Sequence, residues 1–261
     1  MKYKIGLTLS GGGSKGLVHA GMIQYFEENN IKPGIISGTS TGSIAGALYA
    51  AGYKSHEIAN FYKSEKPFSR KYLSGRLGLM NTPKILEIFN KYLDQRTFED
   101  LEIPLRIVAS NLFTGQETIF DSGPLAPAVL ASSSYPGVFK PMIINDIYYT
   151  DGGILNHFPA DIIRNDCEFL IGMHLSPNKI IDKTKLTVAT DVLKRVIDIG
   201  GSQWENEKLK ICDLGLQPQE LAKFSSFNTD PINLDKLYKI GYNSIKEAYE
   251  SLKSVHKKTL D

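Results

Sequence analysis

A chain of 261 residues that is 42% hydrophobic and 22% charged can bury a substantial core, at a length suited to one or two domains. Its 30 Lys and Arg against 28 Asp and Glu leave a net charge of +2, which removes the strongly basic nucleic-acid binders from consideration. The two cysteines, Cys167 and Cys212, lie far apart, match no metal-ligand spacing and read as buried thiols.

The N-terminus "MKYKIGLTLSGGG" has two lysines and an apolar run too short for a signal peptide. No stretch reaches the roughly 18 uninterrupted apolar residues of a membrane span. A cytoplasmic protein is expected, with peripheral contact to a membrane left open. Lys4 to Ser10 predicts a strand that runs into Gly11-Gly12-Gly13. Leu17, Val18, Met22, Ile23 and Phe26 recur at helical spacing, so a helix is predicted from about Gly16 to Asn29, stopped by Pro33-Gly34. Ile35 to Ser37 reads as a buried strand. Thr41 to Ala51 reads as a helix closed near Gly52. Strand, helix, strand, helix in that order implies a parallel sheet with right-handed crossovers.

Further helices are predicted over His56 to Tyr62 and Lys84 to Leu93, the latter with Thr82 as N-cap and Pro83 in its first turn. "YKSEKPFSRKYLSGRLGL" (Tyr62 to Leu79) mixes Lys63, Lys66, Arg70, Lys71 and Arg76 with Phe68, Tyr72, Leu73 and Leu77. Pro67, Gly75 and Gly78 argue against a regular element there, so a loop is expected. Its default role is a solvated surface, and its sharper role is a basic, aromatic rim facing a membrane. Strands are predicted at Leu105 to Asn111, at Gln116 to Asp121, ending at Asp151 after a turn at Asn145-Asp146, and at Glu168 to Ser176. The remainder reads as mainly helical, ending in a helix from Leu234 to Val255. The whole chain, 1–261, is expected to form one α/β domain.

Three motifs carry chemistry. Ser40 sits in Gly38-Thr39-Ser40-Thr41-Gly42, between a strand and a helix. That is the pattern of a nucleophile elbow, in which flanking glycines remove clashes on a sharp turn. The plainer alternative is a serine that only caps the helix. "GGGSKG" (Gly11 to Gly16) satisfies G-x-G-x-x-G after a strand, but the acidic residue a dinucleotide site needs after the second strand is absent. Leu17 after Gly16 also rules out a phosphate loop of the G-K-[ST] type. What remains is an oxyanion hole made of backbone N–H groups, or a flexible turn. "TDGGILNHFPA" (Thr150 to Ala160) puts Asp151 at a strand end, where it is either a turn former or a base. Among five histidines, only His157, six residues beyond Asp151, competes seriously as the base, and spacing alone leaves both open.

The glycine loop, "GTSTGS" and "DGG", in this order, resemble the patatin-like phospholipase family. "ASSSYPGVFKPM" (Ala131 to Met142) and the stretch Phe224 to Ala248 are similar to it more loosely. The resemblance implies a three-layer α/β/α fold with a mainly parallel central sheet. It also implies a Ser–Asp dyad without histidine, with Ser40 as nucleophile and Asp151 as base. Gly11, Gly12 and Gly13, aided by the residue after Ser40, become the oxyanion donors, and Lys15 is the basic residue usual in the loop. Fatty-acyl esters of (lyso)phospholipids or related lipids become the substrate, with no metal and no cofactor. Where the family more often has Asn or another small polar residue, this chain has His157, so a histidine-assisted scheme stays open. So do an acyltransferase working through the same acyl-serine and a lipid-binding protein with a vestigial site.

Overall fold

In the computed structural model, residues 2–67, 73–74, 79–177, 186–188, 192–193, 195–196, 199, 205–227 and 230–257 are described. β1 (Tyr3–Leu9) leads through the glycine loop into α1 (Leu17–Glu28), then β2 (Ile35–Thr39), α2 (Thr41–Ala50) and α3 (Ser55–Ser64). The short antiparallel pair β3 (Leu73–Ser74) and β4 (Leu79–Met80) precedes α4 (Thr82–Leu93). Next come β5 (Leu105–Asn111), β6 (Glu117–Phe120), α5 (Leu125–Ser133), β7 (Met142–Ile144), β8 (Ile147–Asp151) and β9 (Cys167–Met173). The chain closes with α6 (Glu205–Lys210), β10 (Leu214–Leu216) and α7 (Pro231–Lys257).

One sheet runs in the order β10-β9-β1-β2-β5-β8-β7, with β6 paired to β5. From β10 to β5 every pairing is parallel. β6, β8 and β7 add antiparallel pairings at the other end. Strand alternation sorts the two faces. On β2, Ile36 joins the large core with α1, α2, α3, α4, α5 and α7, whereas Ile35 joins a smaller cluster with Phe158, Ile163 and Leu170. Leu209, from α6, packs on that smaller cluster. The sheet is therefore flanked by helices on both sides, unequally.

β1 lies between β2 and β9, and the chain runs on from β1 to β2 on one side but from β9 to β10 on the other. In open α/β sheets ligand sites form at such a switch point. The glycine loop follows β1, Ser40 follows β2 and His174 follows β9, all at one edge. Asp151 reaches that edge differently from the parallel arrangement the sequence implied. β2 runs parallel to β5 and pairs with it up to Thr39–Val108, while β8 runs antiparallel and pairs from Asn111–Tyr149 to Ala109–Asp151. Because β6 occupies the other edge of β5 over these positions, β2 and β8 share one edge and meet head-on.

Several expectations need correction. Asn81, not Thr82, caps α4, its side-chain carbonyl accepting from the Lys84 N–H at 3.2 Å. α5 went unread because "LAPAVLASS" is apolar on nearly every face and contains Pro127, which the first turn of a helix tolerates. β10 is too short to show a period. β9 ends at Met173, so His174 lies just beyond the strand. Within the loop expected over Tyr62 to Leu79, Tyr62 is buried on α3 and the pair β3–β4 is regular. Phe68, Arg70, Lys71, Tyr72, Arg76 and Leu77 of the supposed rim lie outside the described residues. The turn at Asn145-Asp146 is present, with φ of 50° and 62° linking β7 to β8 in a two-residue hairpin. Cys167 and Cys212 are both free, the first buried and the second partly so.

Candidate active site

Ser40 stands between β2 and α2 with φ 52° and ψ −122°, a region that non-glycine residues rarely occupy. The turn needs bare backbone around it. A Cβ on Gly42 would lie 2.1 Å from the Leu9 carbonyl oxygen, and one on Gly38 would lie 2.6 Å from that of Gly42. The Ser40 carbonyl accepts from the Ser43 and Ile44 N–H groups, which starts α2. Its side chain makes no capping bond. Instead Oγ donates to Asp151 Oδ2 at 2.7 Å, in a site where Ser40 is 6% exposed and Asp151 2%. The plain capping role is thereby set aside. The start of α2 also directs its positive dipole end at Ser40.

Asp151 is held from both sides. Its N–H donates to the Ser134 carbonyl, and its own carbonyl accepts from Ser110 Oγ at 2.9 Å. Oδ1 accepts from the Gly153 N–H at 2.8 Å, which leaves Oδ2 for Ser40. Burial pushes its carboxyl up to about 6, against the downward pull of the Ser40 and Gly153 bonds. Ser132, on α5, accepts from the Ser40 N–H at 2.8 Å. Sequence reading missed this residue. Its only sequence signal is a place in a serine triplet, Ser132 to Ser134, without helical periodicity.

The glycine loop passes beside this pair. The position of a Cβ on Gly11 lies 3.3 Å from Ser40 Cβ and 2.7 Å from His157 Cε1. Gly11 does not present a spare donor, because its N–H bonds the His157 carbonyl at 3.0 Å. Among the described residues the N–H groups of Gly12 and Gly13 show no acceptor. Gly13 has φ 61°, and a Cβ there would fall 2.2 Å from the Ser226 carbonyl oxygen. Lys15 is buried, with Nζ donating to the Leu175 carbonyl at 2.6 Å.

His157 lies close to the site but does not complete it. Its Nδ1 and Asp151 Oδ1 approach the same point over Gly153, at 2.8 and 2.9 Å from where a Cβ would be. Its Nε2 faces Ser176 Oγ at 3.2 Å. Among the described residues no histidine nitrogen hydrogen-bonds Ser40 or Asp151. Burial pushes His157 down to about 4. His19 and His174 are buried too: His19 Nε2 meets the Ser10 carbonyl, and His174 Nε2 lies 2.8 Å from Glu205.

The chain belongs to the patatin-like phospholipase family, whose profile matches residues 7–164. An uncharacterized NTE family protein of Mycobacterium tuberculosis (strain H37Rv) is 32% identical over 178 residues, 66% of this chain and 49% of that protein. Lysophospholipase NTE1 of Candida albicans is 30% identical over 170 residues, 61% of this chain and 12% of it. The chain thus spans about half the length of the mycobacterial relative and far less of the fungal one. VipD of Legionella pneumophila superposes with a TM-score of 0.58 at 15% identity, covering 96% of this chain and 67% of that one. The type III effector protein ExoU does so with 0.51 at 13% identity, covering 96% and 53%. These two likenesses show the fold. Among the described residues no helix is long and apolar enough to cross a membrane.

Proposed function

We propose that the protein is a serine acyl hydrolase that cleaves fatty-acyl esters of lipids through Ser40 and Asp151. The observation that carries this reading is the buried 2.7 Å bond from Ser40 Oγ to Asp151 Oδ2, formed on a strained turn. Asp151 takes the Ser40 proton as Oγ attacks the ester carbonyl. A carboxylate is a weak base for a hydroxyl, but desolvation raises its basicity, and transfer concerted with attack avoids a free alkoxide. The N–H groups of Gly12 and Gly13, with help from the start of α2, receive the oxyanion. Asp151 then returns the proton to the departing alcohol. Water activated by Asp151 releases the fatty acid from the acyl-serine.

A lipid ester is favoured by family membership and by the lysophospholipase name of the Candida relative. Such a substrate implies transient contact with a membrane surface. The test has two parts. A fluorophosphonate probe should label Ser40 covalently, identified by peptide mass. The purified protein should release fatty acid from at least one of a lysophospholipid, a phospholipid, a neutral glyceride and a nitrophenyl ester. Hydrolysis that survives in Ser40→Ala, or a probe attached to a different serine, would discard the reading.

A further inference from the structure

Behind the glycine loop, His157, His174 and Glu205 each turn one ligand atom toward a shared space, and these atoms lie within 4.8 Å of one another. The residues come from three places: the turn after Asp151, the end of β9 and the first position of α6. His174 and Glu205 are 1% and 5% exposed. His174 Nε2 lies 2.8 Å from Glu205 Oε2, yet that nitrogen makes no hydrogen bond of acceptable geometry. A short N···O approach that is not aligned as a hydrogen bond is what two ligands of one ion adopt, since each aims its lone pair at the ion.

We propose that His157, His174 and Glu205 form a transition-metal site of the Zn²⁺ class that ties the back of the glycine loop to α6. Two imidazoles and a carboxylate suit Zn²⁺ or Co²⁺ and not Mg²⁺ or Ca²⁺, which prefer oxygen ligands throughout. Three protein ligands leave a fourth position for water. The surroundings support the assignment. Gln217's side-chain amide lies 2.6 Å from His174 Nδ1. Its nitrogen faces that atom, and a turn of the amide that brings the oxygen to Nδ1–H is what ligation through Nε2 requires, as in the outer partners of metal-bound histidines. Burial pushes His157 to about 4 and His174 to about 3, so both are neutral and able to ligate at pH 7. The Lys15 charge acts on both rings in the same direction as burial, and the opposing influence is Glu205, acting on His157. The bound ion would hold His157, whose carbonyl receives the Gly11 N–H. Its role is to brace the loop, and it is independent of the chemistry at Ser40.

Untagged protein freed of metal by chelation and dialysis should bind one equivalent of Zn²⁺ by calorimetry and melt at a higher temperature with it. Co²⁺ should give the visible absorption of a four-coordinate centre and be displaced by Zn²⁺. X-ray absorption on the Zn²⁺-loaded wild-type protein should report two imidazole nitrogens and oxygen ligands. Glu205→Gln and His174→Gln, checked for folding by circular dichroism, should each weaken binding at least about 100-fold. Ser40→Ala should bind as the parent does, which separates this site from the proposed hydrolase chemistry. Absence of stoichiometric binding to the wild-type protein, a sulfur-containing shell, or undiminished affinity in both folded variants would overturn the proposal and leave a buried histidine–carboxylate pair.

Discussion

Thr39 and Asp151 occupy consecutive places along one edge of β5, Thr39 opposite Val108 and Asp151 opposite Ala109. One strand arrives parallel to β5 and the other antiparallel, so their last residues face each other. Ser40, next after Thr39, therefore meets the Asp151 carboxylate at hydrogen-bond distance without any bridging side chain. The two-residue catalytic unit proposed above rests on this pairing, and it has testable consequences.

Ser40→Ala and Asp151→Asn should each lower kcat/KM on a soluble ester by at least about a thousandfold. The double variant should fall within a few-fold of the worse single one, because residues that act as one unit lose their effect together. Steady-state kinetics on the four proteins checks this. Multiplicative losses would mean that the two residues act separately.

Asp151 should set an acidic limb in the pH profile. With a carboxyl at about 6, the base is ionised above that pH, and kcat/KM should fall tenfold per unit below it. An ordinary histidine titrates in the same range, so the position of the limb does not identify the base. The same shift has a stability consequence. The folded state binds the Asp151 proton more tightly than the unfolded chain, so the ionised carboxyl destabilises the fold. The effect is absent below about pH 3.8, grows as pH rises, and levels off above about pH 6, at about 3 kcal/mol. Asp151→Asn should thus raise the midpoint of urea unfolding at pH 8 and gain much less at pH 4. An equal gain at both values would remove the burial argument.

His157→Gln should reduce turnover by no more than about tenfold, far less than Ser40→Ala, because its ring bonds neither member of the pair. The modest loss reflects its contact with Gly11. A fall to the Ser40→Ala level would make His157 the base.

Ser40→Gly and Ser40→Ala should be equally inactive but unequally stable. At φ 52° a Cβ is strained by about 1–3 kcal/mol, and glycine relieves that at a smaller entropic cost. Thermal unfolding should rank Ser40→Gly above Ser40→Ala. The reverse order would show that the turn holds no strain.

Ser132→Ala should leave the Ser40 N–H buried without its acceptor. The expected loss is about 1–3 kcal/mol of stability with a lowered kcat, as the elbow loosens. Ser132→Thr, which keeps the hydroxyl, should recover part of both. An Ala variant that matches the parent in unfolding and turnover would deny Ser132 this role.

What the amino-acid sequence determined by itself is local. The elbow around Ser40, the glycine loop and the Asp151 turn are readable because a strand, a tight turn and a helix follow one another within a few residues, and only certain side chains permit that backbone. The helices α1 and α7 are legible for a similar reason, since apolar spacing is written along one element, and α2 is legible from the elbow before it and Gly52 after it. Resemblance to a family then paired Ser40 with Asp151 where spacing had left His157 open. The tertiary structure decided what depends on neighbours distant in the chain. Alternation shows which side of β8 is buried but not that β8 runs antiparallel to β5 and stops where β2 stops. Three glycines in a row offer three N–H groups, yet only folding brings the His157 carbonyl to Gly11 and leaves those of Gly12 and Gly13 without an acceptor among the described residues. The bond Ser132 makes and the proposed ligand set of His157, His174 and Glu205 are not written in the sequence for the same physical reason: each is fixed by where separate elements pack, and no short-range pattern records it.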